Sequence, residues 1–444
     1  MISRFLMVAL VVSGVAFAQE RPQPQQLTLE DAVRLALQRN SDLQRQILLS
    51  LSAEQDRVIA RGAILPVLTF NASAAYQRVN GQQIVGGITL PTGGPALEQR
   101  TTYDPLYSSS VRLTQLVFDG GAWWNNLAAS DLGLQASQAQ VDEQRLQITY
   151  LVEQRFYEMV RAQRQLVVLG DAATRSRDQA DYTQRLFEGG RATQADVYAA
   201  RANRDNDEVQ RLGQERAVEL ARSDLSVAIG LDPGTPLRVS EPPNMMAEPS
   251  QAPALPDAID RALGNRPSLK AFALTANQNR KLASAAEGAY WPNVSVFGQW
   301  GRNTSNLDLY VEAPGRNSQA SAGVQLTWNV FNGLKDQGNV RKAEIQVALA
   351  ENDLASGRRD VANDVEKAIA QLAAARAQAR VAQQAEQTAK EGLRLARTRQ
   401  EVGVGTQLEV RDAELKLTQA QLNVVGSLVD GREAEAALRR AQGG

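Results

Sequence analysis

The residues of this chain that could do chemistry include many carboxylates but no thiol and no imidazole. The sequence of 444 residues contains neither Cys nor His. Zinc, copper and haem sites, cysteine nucleophiles and Ser-His triads are therefore not expected, although a cation site built from carboxylates alone stays open. We predict no catalytic residues, no metal site and no cofactor, and we do not expect an enzyme.

Three acidic residues stand out because they follow glycine-rich turns. Glu409 and Asp412 are spaced by three residues, so they lie on nearby faces of one helix, and Asp196 follows a similar turn earlier in the chain. Acids in the first turn of a helix are also common because the helix dipole favours them. The spacing alone favours this ordinary explanation, and Thr193 and Thr406 are predicted first as N-caps.

These turns belong to a sequence that contains a long internal repeat. The segment Leu29–Gln46 returns as Leu255–Phe272, an offset of 226 residues, and Gly190–Val197 returns as Gly403–Val410, an offset of 213. Such a long repeat predicts two copies of one structural unit. We place the first repeat at 19–230, a proline-rich connector at 231–255, and the second repeat at 256–444.

Each repeat is predicted to hold a helix, two strands, a very long helix and a shorter one. The segments that join the strands, 79–106 and 302–319, are rich in Gly, Pro, Asn and Ser and are predicted as surface loops. The strands are predicted at about 66–78, 107–118, 292–301 and 320–331, and the helices at 122–187, 193–229, 335–400 and 406–441.

The long helices carry a seven-residue repeat. In the second copy one heptad position is Val or Leu four times and then Ala five times, from Val340 to Ala396, and Leu127 starts the matching series in the first copy. A strict seven-residue repeat predicts a left-handed coiled coil. A helix of 66 residues spans about 100 Å at 1.5 Å per residue, which exceeds the diameter of an ordinary domain.

The predicted strands alternate between apolar and polar residues. This pattern fits a membrane barrel with lipid outside and water inside, and it also fits a half-buried soluble sheet. Aromatic residues near the strand ends favour the membrane, where such rings form interfacial girdles. The residues predicted to face lipid are Leu68, Phe70, Val111, Leu113, Val294, Val296, Val324, Leu326 and Trp328.

The N-terminus predicts export. Residues 1–18 have a positive Arg4, an apolar stretch and a small-x-small cleavage site at Ala16–Ala18, which is typical of a signal peptide. No Cys follows, so a lipoprotein is not expected. No long apolar run follows either, so membrane insertion would need a closed barrel. Four strands cannot close one, so the chain must oligomerise, with two copies giving eight strands and three giving twelve.

Several of these motifs resemble a known family. The segments Leu27–Leu43 and Ser109–Gly121, together with the paired Gly-x-x-Thr-x-x-Asp/Glu-Val turns, resemble the TolC-like outer-membrane efflux proteins over nearly the whole mature chain. The resemblance implies an α+β membrane protein. It would be a homotrimer whose twelve-stranded transmembrane β-barrel, four strands per chain, continues into a long periplasmic α-helical coiled-coil tunnel.

The resemblance also implies partners and sites. It implies docking to a periplasmic adaptor protein and an inner-membrane transporter in a tripartite pump of the Gram-negative outer membrane, whereas the net charge of −1 argues against nucleic acid. It places the gate at Glu409, Asp412 and Asp196. The implied docking tips are Gly190, Arg191, Thr193, Gly403, Gly405 and Thr406.

The chain departs from the family at the implied gate. Gly405 stands where some members carry a basic residue, Gln400 where they carry an aromatic one, and Ala195 lacks a hydroxyl found there. The ionic network that holds the tip closed in those members is therefore not expected here in the same form. The turns of the two copies also differ, and we expect the gate to lie more on the second copy.

Three alternatives to an efflux duct stay open at this stage. A type I secretion duct for polypeptides belongs to the same class and cannot be separated from an efflux duct by the residues. A soluble periplasmic coiled-coil scaffold would be found in the soluble fraction and would give no trimer. A wall hydrolase would need a carboxylate pair in a cleft, whereas scattered acids on helix faces are simply solvated.

Overall fold

The computed structural model describes residues 25–89, 95–305 and 318–444. The predicted signal peptide at 1–18 lies outside these residues. The first half of the described chain contains β1 (Gln25–Leu27), α1 (Leu29–Arg39), α2 (Ser41–Gly62), β2 (Val67–Thr89), β3 (Pro95–Phe118), α3 (Ala122–Glu188) and α4 (Gln194–Ala228). The second half contains β4 (Leu237–Val239), α5 (Leu255–Asn265), α6 (Pro267–Glu287), a 3₁₀ turn (Gly288–Tyr290), β5 (Asn293–Thr304), β6 (Ser318–Thr327), α7 (Lys335–Glu401) and α8 (Gln407–Gln442).

The element order repeats as the sequence predicted. Helices α3 and α7 each contain 67 residues and begin and end within one residue of the predicted bounds. The predicted proline-rich connector at 231–255 contains a short strand, because its residues Leu237–Val239 form β4, which pairs in parallel with β1. None of the described helices is long and apolar enough to cross a membrane.

The chain divides into two compact units. One comprises the described residues up to Ser41, Arg145–Leu255 and Glu366–Arg440, and it contains both turns that follow the long helices. The other comprises Asp42–Gln144, Pro256–Val365 and Ala441–Gly444, and it contains the larger sheet.

The larger sheet has four antiparallel strands in the order β2-β3-β5-β6. Phe70 pairs with Val111 and Val111 with Trp300, while Val296 pairs with Val324. Directly opposed residues share a face and faces alternate along each strand. The register therefore puts eight of the nine predicted apolar-face residues on one face, with Arg112, Gln299, Asn71 and Ser321 on the other.

The ninth predicted residue, Trp328, is a correction. Strand β6 ends at Thr327, which pairs with Asn293, so Trp328 lies outside the strand and the predicted end at 331 is wrong. The next ladder partner would be Pro292, which has no N–H to donate. The indole Nε1 of Trp328 instead donates a hydrogen bond to the backbone oxygen of Tyr290 at 3.2 Å.

The predicted loop at 79–106 is also wrong. Strands β2 and β3 extend through it and contain 23 and 24 residues, with a continuous register from Val67 opposite Thr114 to Ile84 opposite Leu97. Its polar and glycine residues favour a loop locally, but a two-stranded ribbon satisfies its backbone groups whatever its side chains are. In the second copy β5 ends at Thr304 and β6 begins at Ser318, and most of the predicted loop 302–319 lies outside the described residues.

The heptad positions of the long helices point inward. Val340, Val361 and Ala375 are buried, and no residue of the nine-member series is exposed. In the first copy Val141 and Ile148 are buried as well. The coiled-coil prediction is confirmed at these positions, since the seam is covered along the whole of α7.

Candidate gate and docking site at the helical turns

The two turns that follow the long helices have the same backbone. Gly190 and Gly403 both have positive φ, 72° and 79°, which a side chain would disfavour. Arg191 N–H donates to Leu186 O at 2.7 Å, and Val404 N–H donates to Arg399 O at 3.0 Å. These are the six-to-one bonds of a Schellman motif, so both helices end in the same way. We call these segments turn 1 (residues 189–193) and turn 2 (402–406).

Both turns lead into a helix that is capped by threonine. Thr193 Oγ1 accepts a hydrogen bond from Asp196 N–H at 3.2 Å, and Thr406 Oγ1 accepts one from Glu409 N–H at the same distance. The hydroxyls occupy backbone donors that would otherwise have no partner at the helix start. The predicted N-cap role of both threonines is confirmed.

The acids that follow the caps differ. Thr193 N–H and Thr193 Oγ1 both donate to Asp196 Oδ2, at 2.9 and 2.7 Å, which completes a capping box. The hydrogen bonds from the Thr193 side chain and backbone lower the pKa of Asp196. The carboxylate of Asp196 is therefore occupied by hydrogen bonds to Thr193, the N-cap of its own helix.

The carboxylate of Glu409 forms an ion pair instead of a capping box. Its Oε2 lies 3.7 Å from Arg399 Nη2 at the end of α7, and both side chains are exposed. Asp412 forms a 2.6 Å ion pair with Lys416, one helical turn further on, and this pair is exposed as well. Exposed pairs of this kind add little stability, so neither acid is needed to hold the turn together.

Glu409 and Asp412 stand at the edge of a groove between α7 and α8. The groove has a volume of about 900 Å³ and Lys416 also borders it. Six of its fourteen lining residues are alanine or glycine: Ala385, Ala389, Gly392, Ala396, Ala413 and Ala420. The structure thus brings the two acids predicted for the gate together on one groove, whereas Asp196 follows turn 1.

The structure also shows a polar cluster that sequence reasoning missed. Arg411 donates two hydrogen bonds to the carboxylate of Asp207 on α4, at 2.6 and 2.8 Å. The side chains of Arg411 and Asp207 are only 17% and 7% exposed. The hydrogen bonds to Asp207 raise the pKa of Arg411, so its guanidinium stays charged.

Two further contacts join the start of α8 to neighbouring helices. Gln407 Nε2 donates to Thr183 Oγ1 on α3 at 2.8 Å, and Arg397 on α7 donates to the buried Glu414 at 3.0 Å. No short-range pattern reports the pair of Asp207 and Arg411, because the two residues are 204 residues apart. The only sequence signal is that Arg411 and Glu414 are charged residues on a predicted helix.

Comparison with known proteins identifies the family. The model of the family described as outer membrane efflux protein matches residues 32–231 and 258–444, nearly all of both predicted repeats. The chain belongs to the outer membrane efflux protein family. Its predicted resemblance to TolC-like proteins is thereby confirmed, and its location is the outer membrane, with a periplasmic helical part.

Relatives of this outer membrane efflux protein are named for different roles. It is 23% identical over 397 residues to the proteases secretion protein PrtF of Dickeya chrysanthemi, covering 87% of this chain and 81% of that one. It is also 23% identical to the cobalt-zinc-cadmium resistance protein CzcC of Cupriavidus metallidurans, covering 84% and 87%. Outer membrane protein TolC of Vibrio cholerae is 23% identical, covering 89% and 87%.

Solved structures support the same fold. The outer membrane protein VceC of Vibrio cholerae superposes with a TM-score of 0.78 at 19% identity, covering 94% of this chain and 96% of that one. CusC superposes with a TM-score of 0.81 at 16% identity, covering 94% and 92%. The relatives are channel proteins rather than enzymes, which agrees with the prediction made from the missing Cys and His.

Proposed function

We propose that this outer membrane efflux protein is the exit duct of a tripartite efflux pump. Three copies would form one twelve-stranded barrel in the outer membrane, continued by a helical tunnel in the periplasm. The duct would conduct substrates passively from a periplasmic adaptor and an inner-membrane transporter to the exterior.

The four-stranded sheet is the observation that carries this proposal. Strands β2 and β6 stand at its edges, and neither has a second ladder partner among the described residues. Unpaired backbone groups are not tolerated in lipid, and eight strands are the practical minimum for a membrane barrel. Pairing β6 of one copy with the matching length of β2 in the next would close the sheet into a barrel, and three copies of four strands give twelve.

The two faces of the sheet support the same arrangement. The face with Phe70, Val111 and Val324 would contact lipid, together with the other predicted residues of that face. The face with Asn71, Arg112 and Gln299 would line the lumen. A sheet with one apolar and one polar face is what a water-filled barrel requires.

The gate is proposed at Glu409 and Asp412. Two acids per chain in three chains would put six carboxylates around one aperture, where they would attract cations and oppose anions. Their exposure and their weak, exposed ion pairs leave them available for this role. Asp196 is the weaker candidate, because its carboxylate completes a capping box.

Docking of the adaptor is proposed at the two turns. Gly190, Arg191 and Thr193 in turn 1, and Gly403, Gly405 and Thr406 in turn 2, would form the periplasmic end of the tunnel. The shared Schellman backbone presents both turns as rigid ends rather than mobile loops, which suits repeated docking around a ring.

Membrane fractionation with cross-linking tests the proposal. Cells expressing the chain should yield it in the outer membrane, and unheated samples should migrate as a trimer that heating converts to a monomer. Recovery in the soluble fraction without a trimer would overturn the proposal in favour of a periplasmic coiled-coil scaffold.

A second candidate is a type I secretion duct for polypeptides. The name of the relative PrtF, a proteases secretion protein, favours this candidate, while the name of CzcC, a cobalt-zinc-cadmium resistance protein, favours efflux. The two can be separated in a strain that lacks its own duct. Restored drug or metal resistance without polypeptide export would support the efflux duct, and the opposite result would support the secretion duct.

A further inference from the structure

One arginine on the polar face of the sheet is held in a defined position. The guanidinium carbon of Arg112 lies 5.1 Å from the centre of the Phe297 ring on the neighbouring strand. Arg112 Nη2 also donates a long hydrogen bond, 3.5 Å, to Gln325 Oε1, two strands away. An arginine over an aromatic face keeps its charge while losing conformational freedom.

The aromatic ring below Arg112 has its own support. Phe297 stands opposite Gly323 in the ladder, and a Cβ added at Gly323 would lie 3.4 Å from the Cε1 and Cζ atoms of the ring. The missing side chain at Gly323 lets the ring lie over β6. Gly323, Phe297 and Arg112 are thus stacked in that order, and Gln325 fixes the outermost group.

The charge of Arg112 is not compensated nearby. Among the residues that the structure describes, Arg112 forms no ion pair. Asp104 lies on the same face of β3, but eight residues away, which is about 26 Å at 3.3 Å per residue. The other neighbours on this face are uncharged, including Thr69, Thr114 and Gln299.

We propose that Arg112 is an anion-recognition position inside the duct. Its remaining N–H groups form a planar fork that matches carboxylate, sulfonate or phosphate groups, so the expected ligand is an organic anion. The inference rests on the proposed function, because three copies are needed to place three guanidinium groups around one lumen. A fixed positive ring there raises the local concentration of anions.

Only one of the two repeats carries this position. At the offset of 213 residues, Arg112 corresponds to Gln325, and at the offset of 226, Phe297 corresponds to Asn71. The second repeat therefore supplies the ring, the glycine and the fixing amide, while the first supplies the charge. This division explains why both repeats are needed to build it.

The test is single-channel recording of purified trimers in planar bilayers. A KCl gradient gives the ratio of chloride to potassium permeability, and pyrene tetrasulfonate, added on the barrel side, reports anion binding as current block. The recordings are made with Glu409→Gln and Asp412→Asn present in every variant, so that the gate acids do not dominate selectivity.

Arg112→Gln should lower the chloride to potassium permeability ratio about twofold to threefold and weaken the block about fivefold or more. Arg112→Lys should keep the permeability ratio but lose part of the block, because an ammonium lacks the planar fork. This variant also keeps the proposal testable if Arg112→Gln does not assemble.

The matched control is Arg78→Gln. Arg78 also stacks on an aromatic ring, that of Tyr103 at 5.8 Å, but the register puts it on the opposite face of the sheet. It should leave both readouts unchanged. Conducting Arg112→Gln trimers with unchanged selectivity and block would overturn the inference and leave the duct intact. A parent chain that forms no conducting trimer would overturn the proposed function and, with it, the inference.

Discussion

The two turns after the long helices share a backbone and differ in how they use their acids. Gly190 and Gly403 end α3 and α7 with the same pair of hydrogen bonds, and Thr193 and Thr406 cap the next helices in the same way. Asp196 then completes its own cap, while the equivalent Glu409 does not. A repeated scaffold can therefore keep its geometry while one copy releases a carboxylate for another role.

The helices that follow the turns differ even more. Arg411 on α8 is buried against Asp207, whereas the equivalent residue on α4, Tyr198, is 60% exposed. A charged pair thus joins the start of α8 to the first repeat. The equivalent position on α4 holds the uncharged Tyr198 instead. The predictions below test this difference between the copies, from the largest expected effect to the smallest.

Arg411→Met should lower the free energy of unfolding by about 3 kcal/mol, because it leaves the buried carboxylate of Asp207 without a partner. The measurement is guanidinium unfolding of the purified protein in detergent at one fixed protein concentration. The double variant Arg411→Met with Asp207→Leu should recover much of the loss, since no lone charge stays buried. Equal stability of Arg411→Met and the parent would show that the pair contributes nothing.

Replacing Glu409 and Asp412 together by alanine should lower the potassium to chloride permeability ratio by about threefold, because six carboxylates leave the proposed aperture. The measurement is the reversal potential of bilayer-inserted trimers in a salt gradient. Asp196→Ala is the control and should leave selectivity unchanged, because its carboxylate belongs to a cap. If the double variant keeps the conductance and selectivity of the parent, the gate is not at these acids.

Gly405→Ala should cost about 1 kcal/mol, because a Cβ there would lie 2.9 Å from Gln400 N and 3.0 Å from Arg399. The equivalent residue in turn 1 is already Ala192, so Ala192→Gly is the matched control and should change stability by only a few tenths of a kcal/mol. Thermal unfolding of both variants measures the difference. An unchanged melting temperature for Gly405→Ala would mean that turn 2 accommodates a Cβ at this position as turn 1 does.

Asp196→Asn should make the stability of the protein less dependent on pH in the acid range. The hydrogen bonds from Thr193 lower the pKa of Asp196 in the folded state. Its contribution is therefore complete above the ordinary carboxyl pKa, near 4, and is lost as the pH falls through the lower folded value. Melting temperatures between about pH 5 and pH 2 should fall less steeply in Asp196→Asn than in the parent.

Glu409→Gln is the comparison for this smallest effect. Among the described contacts its carboxylate accepts no hydrogen bond from the Thr406 cap, so this substitution removes a carboxylate without removing a capping bond. An equally reduced pH dependence in both variants would mean that the two turns use their acids alike, contrary to the structure.

The sequence by itself determined the plan of this protein. The repeat, the heptads and the Gly and Thr spacing are local periodic signals, and they were enough to predict the order of elements, both long helices and both caps. The alternation of apolar and polar residues predicted which side chains share a face, because a period of two is fixed by the strand backbone. The family resemblance rested on the same signals.

Only the tertiary structure decided where the strand pairing continues and which charged side chains form pairs. Strands β2 and β3 extend through a segment rich in loop residues, since pairing depends on the partner strand and not on local composition. Strand β6 ends before Trp328, where the next ladder partner would be Pro292. Asp207 meets Arg411, and Arg112 stacks on Phe297, across separations of 204 and 185 residues that no local pattern can report.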